Sequence, residues 1–231
     1  MNKAYNYENV QIGNFLISIG YYLSEYNLSL PTSINLLQQT PLDYKIGDMF
    51  GMLSGSFFII EFKREKQNLK SELEKKQRVK LINYLSVNNP PEKIISRKSH
   101  FICYPRFMDK NIDYTLQPYI TIDTPQQYPE FDINGISAFL KALLDTNHIG
   151  ATFNEIKDYI KLLQNCAGDD SSDASGLTSG IFLNFDKNEG IRYIVYDNLN
   201  FLTQQIHLKH EMNRGIGESQ DNTLSRGRKM R

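Results

Sequence analysis

The sequence predicts an α/β protein with a hairpin at the centre of its sheet, and three observations carry that prediction. Residues 56–62, S-F-F-I-I-E-F, are apolar on both faces, as expected of a strand covered by helices on at least one side and packed closely on the other. Ser54-Gly55 is a two-residue turn signal that folds this run back onto the apolar stretch 46–53. Helical periodicity precedes the pair over 7–26 and follows it over 65–86.

Taken in order, residues 7–26 place Val10, Ile12, Phe15, Leu16, Ile19, Leu23 and Tyr26 at helical spacing and predict a helix with a buried face. Residues 33–39 predict a short helical turn ended by Thr40-Pro41. After the hairpin, 65–86 predicts one long charged helix buried through Leu69, Leu73, Val79, Leu81, Ile82 and Leu85, closed by Asn88-Asn89-Pro90-Pro91. Strands are expected at 99–104 and 119–123. The order helix, hairpin, helix, strand, strand describes an α/β sandwich over residues 1–128.

From 129 to 208 an extension is expected. It begins with a helix over 132–145 capped by Asp132, and a second helix opened by the capping box Thr152-Phe-Asn-Glu155. A small polar linker at 167–180 follows, then a hairpin around residues 186–190 and a helix over 199–212. Residues 209–231, ending R-G-R-K-M-R, have the composition of a disordered basic tail.

The 231 residues suffice for one core with an appendage, and 40% apolar with 23% charged residues is ordinary for a globular chain. Zero formal net charge excludes a strongly basic protein, though not a local patch. No stretch approaches the roughly 18 apolar residues of a membrane span. Cys103 and Cys166 match no metal-binding spacing and are expected to be reduced thiols of a cytoplasmic protein.

The chemistry gathers on the hairpin. With Ser54 and Gly55 as the loop, Leu53 faces Ser56, Met52 faces Phe57, and the register runs on to Asp48 opposite Glu61. Two carboxylates held roughly 5 Å apart in apolar surroundings repel and demand neutralisation. Mg²⁺ provides it, because it prefers carboxylate oxygens and keeps its other positions for water and phosphate. Lys63 shares the face of Glu61, two residues on. Between Lys63 and Lys80 stand eight lysines and arginines against three glutamates, so a nucleic-acid backbone and a solvated helix face are both open readings of that segment. Glu8, on the apolar stripe of the first helix, is either an N-terminal capping charge or a third site acid. His100, at the start of an apolar strand, is expected to be structural.

Asp48, twelve intervening residues, then Glu61-Phe62-Lys63, with a helix before and a basic helix after, resembles the PD-(D/E)XK nuclease superfamily over residues 7–125. Gly47 stands where some members carry proline. The resemblance implies a restriction-endonuclease-like α/β/α core of helix, three-stranded meander, helix and strand. It further implies Mg²⁺, with Mn²⁺ as a substitute, held by Asp48, Glu61 and the backbone carbonyl of Phe62, with Glu8 as a further acid. Lys63 would then orient or activate water and stabilise developing charge. Arg64, Lys66, Lys70, Gln77 and Arg78 would face nucleic acid, although the spacing of Gln77 to Tyr84 does not match the branch that uses a glutamine there.

The expected function is a metal-dependent nuclease acting on DNA in preference to RNA, in restriction or anti-phage defence. Two alternatives stand beside it: a catalytically inactive nuclease-fold subunit docking nucleic acid or a partner protein through the C-terminal extension, and a purely structural ion cluster of the hairpin acids with Lys63.

Overall fold

A computed structural model describes residues 7–26, 32–38, 41–87, 90–108, 111–122, 133–145, 149–168, 180–186 and 190–196. The chain forms a mixed eight-stranded sheet with helices on both faces. Helix α1 (Glu8–Glu25) leads into an antiparallel meander of β1 (Thr32–Leu36), β2 (Met49–Leu53) and β3 (Ser56–Phe62), with the five-residue helix α2 (Pro41–Lys45) between β1 and β2. Helices α3 (Leu69–Leu73), α4 (Lys76–Val87) and α5 (Pro91–Ser99) then cross to β4 (His100–Met108), which runs parallel to β3. Strands β5 (Asn111–Pro118) and β6 (Ile133–Asn134) continue outward on that side. Helices α6 (Ile136–Leu144) and α7 (Phe153–Ala167) follow, and the hairpin of β7 (Gly180–Asp186) and β8 (Gly190–Tyr196) extends the sheet beyond β1. The spatial order is β6-β5-β4-β3-β2-β1-β7-β8.

The period of two in β3 divides the core. Phe57 and Ile59 face α4, α5 and α7, packing with Leu81, Ile95, Ile156 and Tyr159. Phe58, Ile60 and Phe62 face α1 and α6, packing with Ile12, Phe15, Phe139 and Leu140. The strand is therefore buried on both faces, as its unbroken apolar run requires. In α1 the buried line is Gln11, Ile12, Phe15 and Ile19, whereas Val10 and Tyr26 are exposed. No described helix is long and apolar enough to cross a membrane.

The hairpin register is the expected one from Leu53–Ser56 to Met49–Ile60. Ser54 and Gly55 both take positive φ, 51° and 85°, which a two-residue turn of this hand demands. Gly51 is fixed by contact, since a Cβ there would lie 2.4 Å from the Phe58 ring. The capping box of α7 is also present, with Thr152 accepting from the Glu155 N–H and Glu155 accepting from the Thr152 N–H. The last hairpin pairs Asp186 with Gly190.

Several elements differ from expectation. Residues 33–36 are strand, because β1 is inserted between β2 and β7 and both its edges find backbone partners. The long helix expected over 65–86 is broken into a 3-10 turn (Lys66–Asn68), α3 and α4. Val79 is exposed, and Ile82 is only half-buried. Pro91 starts α5 as a first-position proline, with Glu92 in its first turn and Arg97 and Lys98 in its last, so a helix follows where only a break was expected. Residues 119–121 form a 3-10 turn; the strand precedes them and stops at Pro118, where Thr121 Oγ1 donates to the Pro118 carbonyl and Gln117 Nε2 to the Thr121 carbonyl. The helix expected from Asp132 begins instead at Ile136, capped by Gly135, because Ile133 and Asn134 pair with β5. Residues 169–179 of the expected linker, the helix expected over 199–212 and the tail lie outside the described residues.

Candidate metal centre

The site forms where β3 leaves the sheet. Side-chain alternation sends Glu61 and Lys63 to the face of α4 and α7. The register beyond Met49–Ile60 brings Asp48 across from Glu61. Gly47, at φ 144°, makes the bend into Asp48; a Cβ there would lie 3.1 Å from Ile59 Cγ2. Asp48 Oδ2 accepts the Phe62 N–H at 2.5 Å, and the Asp48 carbonyl accepts from Leu37 N–H at 2.8 Å, so the loop is tied to the strands on either side.

Carboxylate oxygens of Asp43, Asp48 and Glu61 all lie within 4.8 Å of one another. Opposite ligands of a Mg²⁺ ion stand roughly 4 Å apart, given metal–oxygen distances of about 2.0–2.1 Å. Only one pair among three ligands can be opposite and adjacent ones stand about 2.9 Å apart, so the acids must draw in by up to about 2 Å to share one cation, and hard oxygen donors are the chemistry such a cation prefers. The adjoining cleft, lined by Asp43, Gly47, Glu61, Lys75, Gln77 and His100 among others, has a cavity volume of about 20 Å³, room for a single water.

Glu61 also belongs to a closed set of charges. Lys63 Nζ is 2.7 Å from Glu61 Oε1 and 2.8 Å from Glu72 Oε1, while Lys75 Nζ is 2.9 Å and 2.6 Å from the same two oxygens. Two ammoniums and two carboxylate oxygens thus alternate in a ring. Glu72 is fully buried, and its other oxygen accepts from Tyr119 Oη at 2.8 Å.

Electrostatics separates the acids. Burial, then the neighbouring Glu61, pushes Asp48 up to about 8, with the Phe62 N–H only partly offsetting them. Burial also raises Glu61, partly offset by Lys63. Burial opposes the ionisation of Glu72, but Lys63 and Lys75 outweigh it and hold that carboxyl at about 2. Burial likewise works against the Lys63 ammonium, and Glu61 and Glu72 overcome it, raising the lysine above its ordinary range. Of the three carboxyls, Asp48 and Glu61 are both raised and Glu72 is lowered, and a divalent cation is the natural replacement for a proton held on the raised pair.

The other expected site residues are dispersed. Glu8 sits in the first turn of α1 and is not a member of the converging acid group; the third acid there is Asp43, on α2. Arg64, Lys66 and Lys70 are exposed, with the Arg64 guanidinium 4.9 Å from the centre of the Tyr7 ring. Gln77 Nε2 donates to the Tyr44 carbonyl at 3.2 Å. Arg78 does not share the exposed basic face: it is buried, donates to the Tyr119 carbonyl at 3.3 Å and lies over the Tyr119 ring. His100 is structural in its contacts, stacked on Tyr119 at 4.2 Å with Nδ1 3.0 Å from Tyr159 Oη, and burial lowers it to about 3. Cys103 and Cys166 are free and buried.

Sequence reasoning missed Asp43, Glu72 and Lys75. Glu72 and Lys75 have the spacing of an i,i+3 surface pair, and only the break between α3 and α4 turns both toward β3. Asp43 carries no signal beyond its nearness to Asp48. Compared with protein-family models, curated proteins and solved structures, the chain matches none.

Proposed function

We propose that this chain is a divalent-cation-dependent phosphodiesterase, a nuclease of the PD-(D/E)XK type acting on DNA in preference to RNA. The observation that carries the reading is the convergence of Asp43, Asp48 and Glu61 beside two buried or half-buried ammoniums. The order α1, meander β1–β3, crossover helices and a parallel β4 supports it, being the arrangement that the D…ExK resemblance implies. Asp43, Asp48 and Glu61 would hold Mg²⁺ or Mn²⁺, with the Phe62 backbone carbonyl as the further oxygen that the resemblance implies. A bound cation would supply a more acidic water and neutralise a non-bridging phosphate oxygen.

In the hydrolysis, water forms a new P–O bond as the bond to the leaving oxygen breaks, giving a phosphate monoester and a free hydroxyl, with the proton of the water passing to solvent. Lys63 serves this step as an ammonium. Its two carboxylate partners keep it protonated, so it donates hydrogen bonds to the phosphate and the leaving oxygen and does not take a proton from water. Exposed Arg64, Lys66 and Lys70, at the start of the crossover, provide a sequence-independent backbone contact.

The test is cleavage of linear, circular and single-stranded DNA and of RNA with Mg²⁺, Mn²⁺ or EDTA, by the wild type and by Asp48→Ala, Glu61→Ala and Lys63→Ala. Cation-dependent cleavage lost by about a hundredfold or more in each variant is expected. Cleavage by Lys63→Ala equal to wild type would count decisively against the reading.

One observation favours a second reading, an inactive nuclease-fold assembly subunit. The Glu61–Lys63–Glu72–Lys75 ring balances its own charges, and Ile191, Tyr193 and Val195 stand exposed on the sheet's outermost described strand, where a partner protein could dock. Calorimetric titration with Mg²⁺ separates the two, because the inactive subunit gives no binding heat.

A further inference from the structure

We propose that Lys75 is a second phosphate-contacting residue of this site, and that Glu72 is the positioning residue that holds Lys63 and Lys75 for the substrate. The proposal rests on the phosphodiesterase reading above. Neither residue belongs to the D…ExK motif: Lys75 lies fourteen positions beyond Glu61 and is brought back to it by the break between α3 and α4.

The demand on Glu61 exceeds what one carboxylate supplies. Its Oε1 accepts both ammoniums, at 2.7 and 2.9 Å, and the same carboxylate is within ligand reach of Asp43 and Asp48. One carboxylate cannot serve a divalent cation and two ammoniums equally, since the three positive groups repel one another at these distances. The lysines need a second anchor, and Glu72 is placed to be one. It is fully buried, and Tyr119 Oη fixes one of its oxygens at 2.8 Å, leaving Oε1 to both lysines at 2.8 and 2.6 Å. Tyr119 is itself held by the stacked His100 ring and by Arg78. This fixed support keeps the two Nζ atoms beside the acids when Glu61 turns to a cation.

Exposure then distinguishes the lysines. Relative side-chain exposure is 0% for Glu72, 11% for Lys63 and 32% for Lys75, so Lys75 is the most open cation of the ring. An ammonium has three donors, and two carboxylate contacts leave one for a phosphate oxygen.

Lys75→Met and Glu72→Gln test the assignment, with two readouts on the full chain: Mg²⁺ affinity by calorimetry without nucleic acid, and cleavage of labelled duplex DNA at saturating Mg²⁺. Removing Lys75 takes a competing cation from Glu61 and a contact from the phosphate. Mg²⁺ should therefore bind about tenfold tighter while cleavage falls about a hundredfold. Glu72→Gln throws both lysines onto Glu61, so Mg²⁺ should bind about tenfold more weakly and cleavage should fall even at saturation. Should Glu72→Gln fail to fold, the opposed shifts in Lys75→Met decide alone. Affinity and cleavage moving together in Lys75→Met, or cleavage unchanged, would overturn the proposal while leaving an active wild type. A wild type that neither binds Mg²⁺ nor cleaves would overturn the phosphodiesterase reading and this proposal with it.

Discussion

Asp48 and Glu61 are neighbours of one chemical type in unlike surroundings. Glu61 has two ammoniums on one oxygen, whereas Asp48 is buried with a Phe62 N–H as its closest hydrogen-bond donor. Between pH 3.8, its ordinary value, and about 8, its value here, folded Asp48 keeps a proton that the unfolded chain releases. Folding stability in the absence of a divalent cation therefore falls as pH rises through that window, by about 1.4 kcal/mol per unit. Asp48→Asn removes the Asp48 share of the dependence and leaves that of the raised Glu61. In EDTA the variant should melt well above wild type at pH 8 and close to it at pH 4, and a gap that is equal at both pH values would refute the placement of the proton.

At the scale of elements, Gly51 on β2 has a defined steric task. Phe58 lies directly across the hairpin, is buried, and meets Phe139 edge-on at 5.6 Å, so it has no free space into which to swing. Gly51→Ala should cost about 1–3 kcal/mol, read as a lower urea midpoint with an unchanged slope, and Phe58→Leu added to it should recover part of the loss. An undiminished midpoint in Gly51→Ala would show that the ring can move.

The same hairpin marks where local pattern suffices. Its turn, register and buried faces were legible because Ser54-Gly55 and the apolar runs on either side act over a few residues. The strand character of Thr32–Leu36 was not, because T-S-I-N-L is half polar and becomes strand through partners at 49–53 and 183–185. The site divides in the same way. Asp48, Glu61 and Lys63 follow from hairpin register, whereas Lys75 and Glu72 join through a helix break, and Glu72 also through the distant Tyr119. Arg78 looks like one more surface cation in sequence and is buried because Tyr119, 41 residues away, offers its carbonyl and ring.

Across the whole molecule, the four buried groups His100, Glu72, Asp48 and Glu61 combine into one pH profile. His100, at about 3 in the fold and ordinarily 6.5, is protonated in the unfolded chain and neutral in the folded one between those values, so stability falls as pH drops below 6.5. Glu72, at about 2 against 4.5, adds a loss of the same sign below 4.5. Asp48 has the opposite sign from 3.8 to about 8, and the raised Glu61 acts in the same sense as Asp48. His100 therefore offsets part of the loss from Asp48 and Glu61 between about pH 4.5 and 6.5, the two acids lower stability unopposed above that range, and His100 and Glu72 together lower it below. Urea denaturation in EDTA from pH 3 to 9 should trace this dome. His100→Phe, which keeps a ring against Tyr119, should lose the slope between pH 4.5 and 6.5 that offsets Asp48, leaving stability that declines steadily from pH 4.5 to 8. Saturating Mg²⁺ at pH 8 should lift the alkaline limb of the wild type, since a cation held by ionised Asp48 stabilises the folded state in proportion to its binding. Wild-type stability that stays level or rises from pH 6.5 to 8 in EDTA would mean that Asp48 is already ionised in the fold, and that the acids of the hairpin do not need a cation to take the place of a proton.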